Sequence, residues 1–558
     1  MLEDFDLNRI QDITGAQEAI LRLLNLVEEL AGENRKLRAE NQQQRDEINR
    51  LKGEQGQPRL KPNKKPAAPP QANYSSEGER HQSKGRQKAC KVSQIKIDRE
   101  EVVKVDPAQL PPDAQFKGYE EVVVQDIKIT TDNVRFWKEK FYSSGQHKTY
   151  LAELPAGYEG QFGPGIKATT IVLYYAINTS EPKIKEFFEH VGLSLSAGQI
   201  SNLLLKRQDG FHDEKEALYI AGLRSSPWQH SDDTPARVNG VNEHTHTVCN
   251  PWYTVYVTTP KKDRLAVLQA FTNGHALTFR LNAEAYSWLA AVNLSSRVLA
   301  QLRQLPSDQD WTETAFTALL TEHVPELGAQ QRRSILEAAA VAAYHRQQTF
   351  PLIDLLLCDD APQFKRLTEE LALCWVHDGR HYKKLNPVVA LHRQQVADFL
   401  TRYWDYYNDL LTYPLNPSPA QADRLTQAFE TLFAETTGYD ALDDRIAKTK
   451  AKKDALLMVL KHPEIPLHNN PAELEGRRRV RKRDVSFGPR TEEGKKAWDT
   501  FMSLAATAKK LKVSFYQYIH DRVTQTNTIP QLADLIAQQA QQHQLGASWV
   551  KHGFTPTF

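Results

Sequence analysis

Between Ile20 and Leu51 apolar side chains return every seven residues, and this pattern fixes one element of the fold before any other. With Leu23, Leu30, Leu37 and Leu51 at d positions, Ile20, Val27, Asn34, Asn41 and Ile48 fall at a, and Gln44 takes the remaining d. So narrow a stripe is the seam of a coiled coil rather than the broad face of a core helix. Glu33, Glu40 and Glu47 lie at g and Arg38, Arg45 and Lys52 at e, the complementary charges expected between parallel partners. Residues 14–52 are therefore expected to form a parallel leucine zipper, in which Asn at a gives up stability for register and a two-stranded state. The competing reading is an amphipathic helix packed on its own chain, where the g and e charges have no use.

The periodicity stops at residues 53–93. Pro, Gly, Gln and Ser dominate there, and Gly53 to Lys91 carries nine Lys and Arg, among them Lys64 and Lys65, against three Glu. A basic tether of this kind gains affinity for DNA through counterion release, without specificity; a plain solvated tether fits the composition equally well. Over the whole chain the formal charge is only +2 for 558 residues, which excludes a uniformly basic binder but permits local patches. Cys90, Cys249, Cys358 and Cys374 show no paired C-x-x-C spacing, so neither a disulfide framework nor a zinc ribbon is expected. The uncharged stretch from Ala168 to Ser180 is too short to cross a bilayer. The acidic start Met1-Leu2-Glu3-Asp4 does not read as a signal peptide, and a cytoplasmic location without membrane contact is expected.

Two apolar runs end in paired aspartates, Trp228-Gln229-His230-Ser231-Asp232-Asp233-Thr234-Pro235 and Leu355-Leu356-Leu357-Cys358-Asp359-Asp360. Each reads as a strand stopped by a turn. Later, Asn469-Asn470-Pro471-Ala472-Glu473 precedes Arg477-Arg478-Arg479-Val480-Arg481-Lys482-Arg483, so an acid lies one helical turn from a block of cations. Acids at two strand ends plus one on a helix form the carboxylate set that holds two divalent cations in an RNase H-like nuclease core, where in-line phosphodiester displacement needs a metal on each side. A single Asp before a helix is more often a cap or turn residue; the joint occurrence of three contexts in order carries the reading. Chemistry alone does not separate Asp232, Asp359 and Glu473 from their neighbours Asp233, Asp360 and Glu475.

These segments resemble the IS66 family of DDE transposases. Asp232-Asp233-Thr234-Pro235 is similar to the family's Asp-Glu-Thr-Pro, Cys374-Trp375-Val376-His377 to its Cys-Trp-x-His, and Asn469 to Glu473 to its Asn-Asn-x-Ala-Glu. Phe162-Gly163-Pro164 and the stretch around Ile200 match the segment before the catalytic core. The resemblance implies that Asp232, Asp359 and Glu473 are the catalytic ligands of two Mg²⁺ or Mn²⁺ ions, with Asp232 bridging. It further implies binding of double-stranded DNA, both terminal inverted repeats and target, by a homodimer or higher oligomer; small accessory proteins of the same element are candidate partners. Cys374, His377, Asn469 and Asn470 are expected near the active site or bound DNA. Arg477, Arg478, Arg479, Arg481, Lys482 and Arg483 are the DNA-binding candidates, of which two or three are expected to reach phosphates flanking the scissile bond; a solvated face is the competing reading. Many relatives carry paired zinc-binding cysteines where this chain offers only Cys90, and Cys374 with His377 lacks a second pair of ligands, so zinc is not expected.

The expected fold is mixed α+β and α/β: an RNase H-like core interrupted by helical insertions, preceded by the coiled coil and small DNA-binding domains. Residues 94–160 read as a small β-rich domain, with a hairpin of residues 121–129 and 134–142 joined at Asp132-Asn133. Residues 161–215 read as helical with a helix-turn-helix flavour, Lys183 to His190 and Ser196 to Lys206 around Gly192; ordinary packed helices give the same signal. The core is expected over 220–280, 349–386 and 464–525, with helical insertions at 281–348 and 387–463 and a helical tail at 526–558. Two other functions remain open: an inactive or domesticated dimeric DNA-binding protein, and an RNase H-like structure-selective nuclease.

Overall fold

A computed structural model describes residues 12–52, 95–111, 113–158 and 160–550. The basic tether expected at 53–93, with Lys64, Lys65 and Cys90, lies outside the described residues. The heptad segment is one helix, α1, Ile13–Leu51. It docks on its own chain through the b and f positions: Asn25 Nδ2 donates to Gly438 O (3.0 Å), Arg35 to Asn386 O (3.2 Å), and the Glu28 carboxylate accepts from the Val388 and Val389 amides (2.8 and 2.7 Å). Burial alone would raise the Glu28 carboxyl, but those amides and His392 hold it below the ordinary value. The a and d side chains point elsewhere, and Ile20, Leu23, Val27, Leu30, Leu37, Ile48 and Leu51 all remain exposed.

Residues 95–139 hold no strand among the described residues, and only β1 (Lys140–Ser143) and β2 (Lys148–Leu151) form a hairpin. The hairpin expected at 121–129 and 134–142 is thus displaced towards the C-terminus. Alternation is a weak signal without a surface to bury one face, and Val122, Val124, Ile127 and Ile129 are all exposed. The two expected helices beyond it are present as α2 (Glu181–His190) and α3 (Ala197–Leu205), the second started by a capping box between Ser196 and Gln199.

The centre of the molecule is a five-stranded mixed sheet in the order β5-β4-β3-β8-β9. Here β3 is Trp228–Val238, β4 Val241–Cys249, β5 Thr254–Thr259, β8 Leu355–Cys358 and β9 Glu370–Leu373. The first three form an antiparallel meander, while β8 joins β3, and β9 joins β8, in parallel. β8 stops before Asp359 as expected, but β3 runs on through Asp232 and Asp233. Its later part is paired only to β4, since β8 matches Trp228 to His230 alone, so Pro235 is tolerated where no third strand needs its missing N–H.

Two helices complete this part of the core: α9, Asn470–Ser486, and α10, Glu492–Lys510. α9 packs on β3 and β4, and α10 covers the outer edge of β5. The edge amides of Thr254, Tyr256 and Thr258 donate to Thr507 Oγ1, Ser503 Oγ and Asp499 Oδ2 at 3.1, 2.9 and 2.7 Å, which closes an edge that would otherwise pair with another chain. α4 (Arg264–Phe271) packs on β4 and β5 within the core; beyond it β6 (Thr278–Arg280) pairs antiparallel with β7 (Asp310–Thr312), and the first insertion contains α5 (Ala283–Ala291) and α6 (Ala329–Tyr344). α7 (Trp375–Lys384) leads into the second, built on α8 (Ala390–Thr412). Trp375 anchors that insertion, fully buried, with Nε1 donating to Leu456 O (2.7 Å) and its ring against Tyr403, Tyr406 and Phe429. The tail is helical at Leu532–Gln542. No helix among the described residues is long and apolar enough to cross a membrane.

Candidate active site

The parallel register of β3 and β8 pairs His230 with Leu357; carried on two residues it sets Asp232 level with Asp359. Successive side chains on a strand point to opposite faces, and that decides between the two acids on β3. Asp232 and Thr234 face α9: a Cβ at Gly476 would meet Asp232 Oδ2 and Thr234 Cβ at 3.8 Å each. Asp233 points to the other face, where it accepts from Gln363 Nε2 (2.8 Å). One turn before Gly476 on α9, Glu473 brings the third carboxylate to the Asp232 side.

The other neighbouring acids are also committed elsewhere. Asp360 is paired with Lys365 (2.9 Å) and with Lys452, and these cations outweigh burial to hold its carboxyl below the ordinary range. Glu475 accepts from Tyr256 Oη (2.7 Å) and pairs with Arg478 (3.0 Å). By contrast Asp232 and Asp359 have no cationic partner among the described residues; they accept from the backbone amides of Asp233 (2.9 Å) and Ala361 (3.0 Å). Burial, then the charges of Asp359, Asp233 and Glu473, push the Asp232 carboxyl up from 3.8 to about 8. Positive charge brought to this site from outside the chain would favour the ionised carboxylates.

Glu473 is positioned from α7. Arg380 Nη2 lies 3.2 Å from Glu473 Oε2, and His377 Nε2 lies 3.6 Å from Oε1. Arg380 also donates to His377 Nε2 (3.1 Å), which makes that nitrogen an acceptor and the ring neutral, in line with burial lowering its pKa. Glu473 Oε1 is buried without a hydrogen-bond partner. Such an orphan is costly unless something completes it.

Asn469 ties the parts together. Its Oδ1 accepts from His230 Nδ1 (2.9 Å), its Nδ2 donates to Ser231 O (2.7 Å), and its N–H donates to Cys374 Sγ (3.2 Å). One residue thus joins β3, the start of α7 and the start of α9. Burial lowers His230 to about 3 and raises the Cys374 thiol to about 11, so both stay neutral. Asn470 opens α9 and is buried. Donor atoms of Cys374, His377 and Glu473 lie within 4.8 Å of one another, one short of the four ligands of structural zinc, and the thiol is already engaged. The oxygen set of Asp232, Asp359 and Glu473 fits hard divalent cations instead.

The basic block divides in two. Arg479 and Lys482 are buried, which removes both from the six candidates among which two or three were expected to reach phosphates. Arg479 is buried against Asp499 Oδ1 (2.6 Å), Thr258 and Thr245. Lys482 is buried with Nζ 3.3 Å from the centre of the Tyr174 ring, and desolvation lowers it to about 7. Arg478 is paired with Glu475, and Arg483 donates to Pro235 O. Arg477 and Arg481 are exposed and have no carboxylate partner among the described residues. Spaced four apart, they continue the Glu473 stripe along α9. His230, Arg380 and Gly476 were not singled out from sequence; the one signal for Arg380 was its place a turn after His377.

A family model described as "Transposase IS66 family" matches residues 340–497, a span that includes Asp359, Cys374, His377 and Glu473. An uncharacterized protein of Sinorhizobium fredii (strain NBRC 101917 / NGR234), y4jO, is 32% identical over 321 residues, which are 57% of this chain and 99% of the relative. This chain belongs to the IS66 transposase family.

Proposed function

We propose that the chain is a DDE-type DNA transposase that cuts the ends of its element with water and then uses the liberated 3′-hydroxyl to attack target DNA. The observation that carries this reading is that Asp232 faces α9, which bears Glu473, and lies level with Asp359 across the β3–β8 register, while Asp233, Asp360 and Glu475 are each tied to another partner. The sheet order, three antiparallel strands followed by two parallel ones with an acid on the central strand and another beyond its parallel neighbour, supports an RNase H-like core.

Asp232, Asp359 and Glu473 would hold two Mg²⁺ or Mn²⁺ ions, which when bound activate the attacking oxygen and stabilise the leaving one. Arg380 and His377 orient Glu473, and Asn469 holds the start of α9 against β3. Exposed Arg477 and Arg481 bind phosphates beside the scissile bond. α1 anchors to the second insertion through Glu28 and presents its free heptad seam to a second copy, so that two catalytic units are joined as a parallel dimer.

The test is incubation of purified protein with labelled element-end DNA and Mg²⁺ or Mn²⁺. Metal-dependent nicking followed by joining to a second duplex is expected. Cutting of branched DNA without joining would favour a structure-selective nuclease, and binding without cutting an inactive DNA-binding dimer.

A further inference from the structure

Beside the turn that follows Asp359 lies a cavity of about 410 Å³, lined among others by Arg264, Trp288, Asn293, Gln331, Lys365 and Arg366. Its base is aromatic. The half-buried Trp288 on α5 is faced by two guanidiniums, Arg264 at 5.1 Å and Arg366 at 5.9 Å from the ring. Arg264 is fixed: it pairs with Glu337 and donates to Lys365 O (3.0 Å) and Pro362 O (2.7 Å). Arg366 is not. It is exposed, held in the left-handed region at φ 64°, and has no carboxylate partner among the described residues. For a residue with a Cβ this backbone is unfavourable, and here it accompanies a guanidinium that rests on an indole and has no carboxylate partner.

A flat indole beside an arginine that has no carboxylate partner, and whose guanidinium can leave the ring for a phosphate, is the chemistry that takes a nucleobase by stacking and its phosphate by charge, and the volume falls within the range of small-ligand pockets. The same turn connects the cavity to the acids. Asp359 precedes it, Gln363 is bonded to Asp233, and Pro362, Lys365 and Arg366 line the cavity. Seven peptide units reach at most about 25 Å, so at roughly 3.4 Å per nucleotide along a strand the cavity lies within about seven nucleotides of the cut.

Resting on the transposase reading, we propose that this cavity binds one nucleotide of the element end, unstacked from the duplex within about seven nucleotides of the scissile phosphate, with its base on Trp288 and its phosphate on Arg366. The role is separate from metal binding: it holds the strand in register as it passes the acids.

The experiment places 2-aminopurine singly at each position within seven nucleotides of the cut in an element-end duplex. Fluorescence is followed on binding to the full-length protein carrying Asp359→Asn, so that the DNA stays whole. One position, or two adjacent ones, is expected to respond, the response surviving in Trp288→Phe and disappearing in Trp288→Ala and Arg366→Glu. Loss of stacking is also expected to weaken binding about five- to a hundredfold. Equal responses and equal affinity in all variants overturn the proposal, as does a chain that binds no end DNA. Wild-type protein that shows the positional response but never cuts would leave the pocket standing and sink the catalytic reading; cutting with no positional response does the reverse.

Discussion

Replacing Asp232 by Asn should abolish cleavage and at the same time make the metal-free protein more stable. In the folded chain the Asp232 carboxyl is pushed from 3.8 to about 8, first by burial and then by Asp359, Asp233 and Glu473. An acid raised in this way destabilises the fold progressively as pH rises from its unfolded value to its folded one, because the unfolded chain releases the proton more easily. At about 1.4 kcal/mol for each pH unit in that window, the penalty at pH 8 has an upper bound of about 6 kcal/mol. Water and ions in the cleft screen part of it, and we take about 2 to 3 kcal/mol as the expected gain from Asp232→Asn. For a body of this size that is a rise in Tm of roughly 2 to 4 °C. The assay is thermal unfolding in EDTA from pH 4 to pH 8: the two proteins should converge near pH 4 and separate as pH rises. Millimolar Mn²⁺ should reverse the order by stabilising the wild type alone. Equal Tm values in EDTA at pH 8, or equal gains with Mn²⁺, would refute the reasoning.

The other expectations concern the cations and α1. Neutralising Arg477 and Arg481 together should flatten the dependence of log affinity on log salt by about 1.8 for duplex DNA, two contacts at about 0.9 each, and weaken all sequences alike; an unchanged slope in a folded protein would remove that face from the DNA interface. Arg479→Ala should leave Asp499 buried without its cation and destabilise the protein by about 3 to 5 kcal/mol, seen as a large fall in Tm. Deleting residues 1–52 should convert a dimer into a monomer in sedimentation; an unchanged oligomeric state would mean that the seam has no partner. Leu at both Asn34 and Asn41 should strengthen association but relax its two-stranded specificity, giving mixed states.

How much of this was readable in advance depended on whether the signal was local. The repeat of α1 and the Ser196 cap of α3 are written in a few neighbouring residues, and the structure has both helices there. β8 ends at Asp359 for the same reason: an apolar run meets a turn. β3 was misread because Pro235 looks like a terminator until the partners of each strand are known, and only the short match with β8 leaves its missing N–H unopposed. Residues 121–129 alternate as a strand does, yet alternation needs a surface to bury against. The basic block misled in another way: six cations in seven residues read as a solvated face, and nothing local announces that Asp499 and the Tyr174 ring take Arg479 and Lys482 inward. The acids were placed by resemblance; strand alternation and the partners of Asp233, Asp360 and Glu475 supply the physical reason that adjacent residues could not.

The account stands most directly on what the three carboxylates hold. Mn²⁺ binding to the full-length protein with uncut element-end DNA, counted by electron paramagnetic resonance, should give two ions per chain. Asp232→Asn, Asp359→Asn and Glu473→Gln should each lose at least one of them, whereas Asp233→Asn, Asp360→Asn and Glu475→Gln should keep both. Two ions retained in any of the first three, or lost equally in the second three, would contradict it.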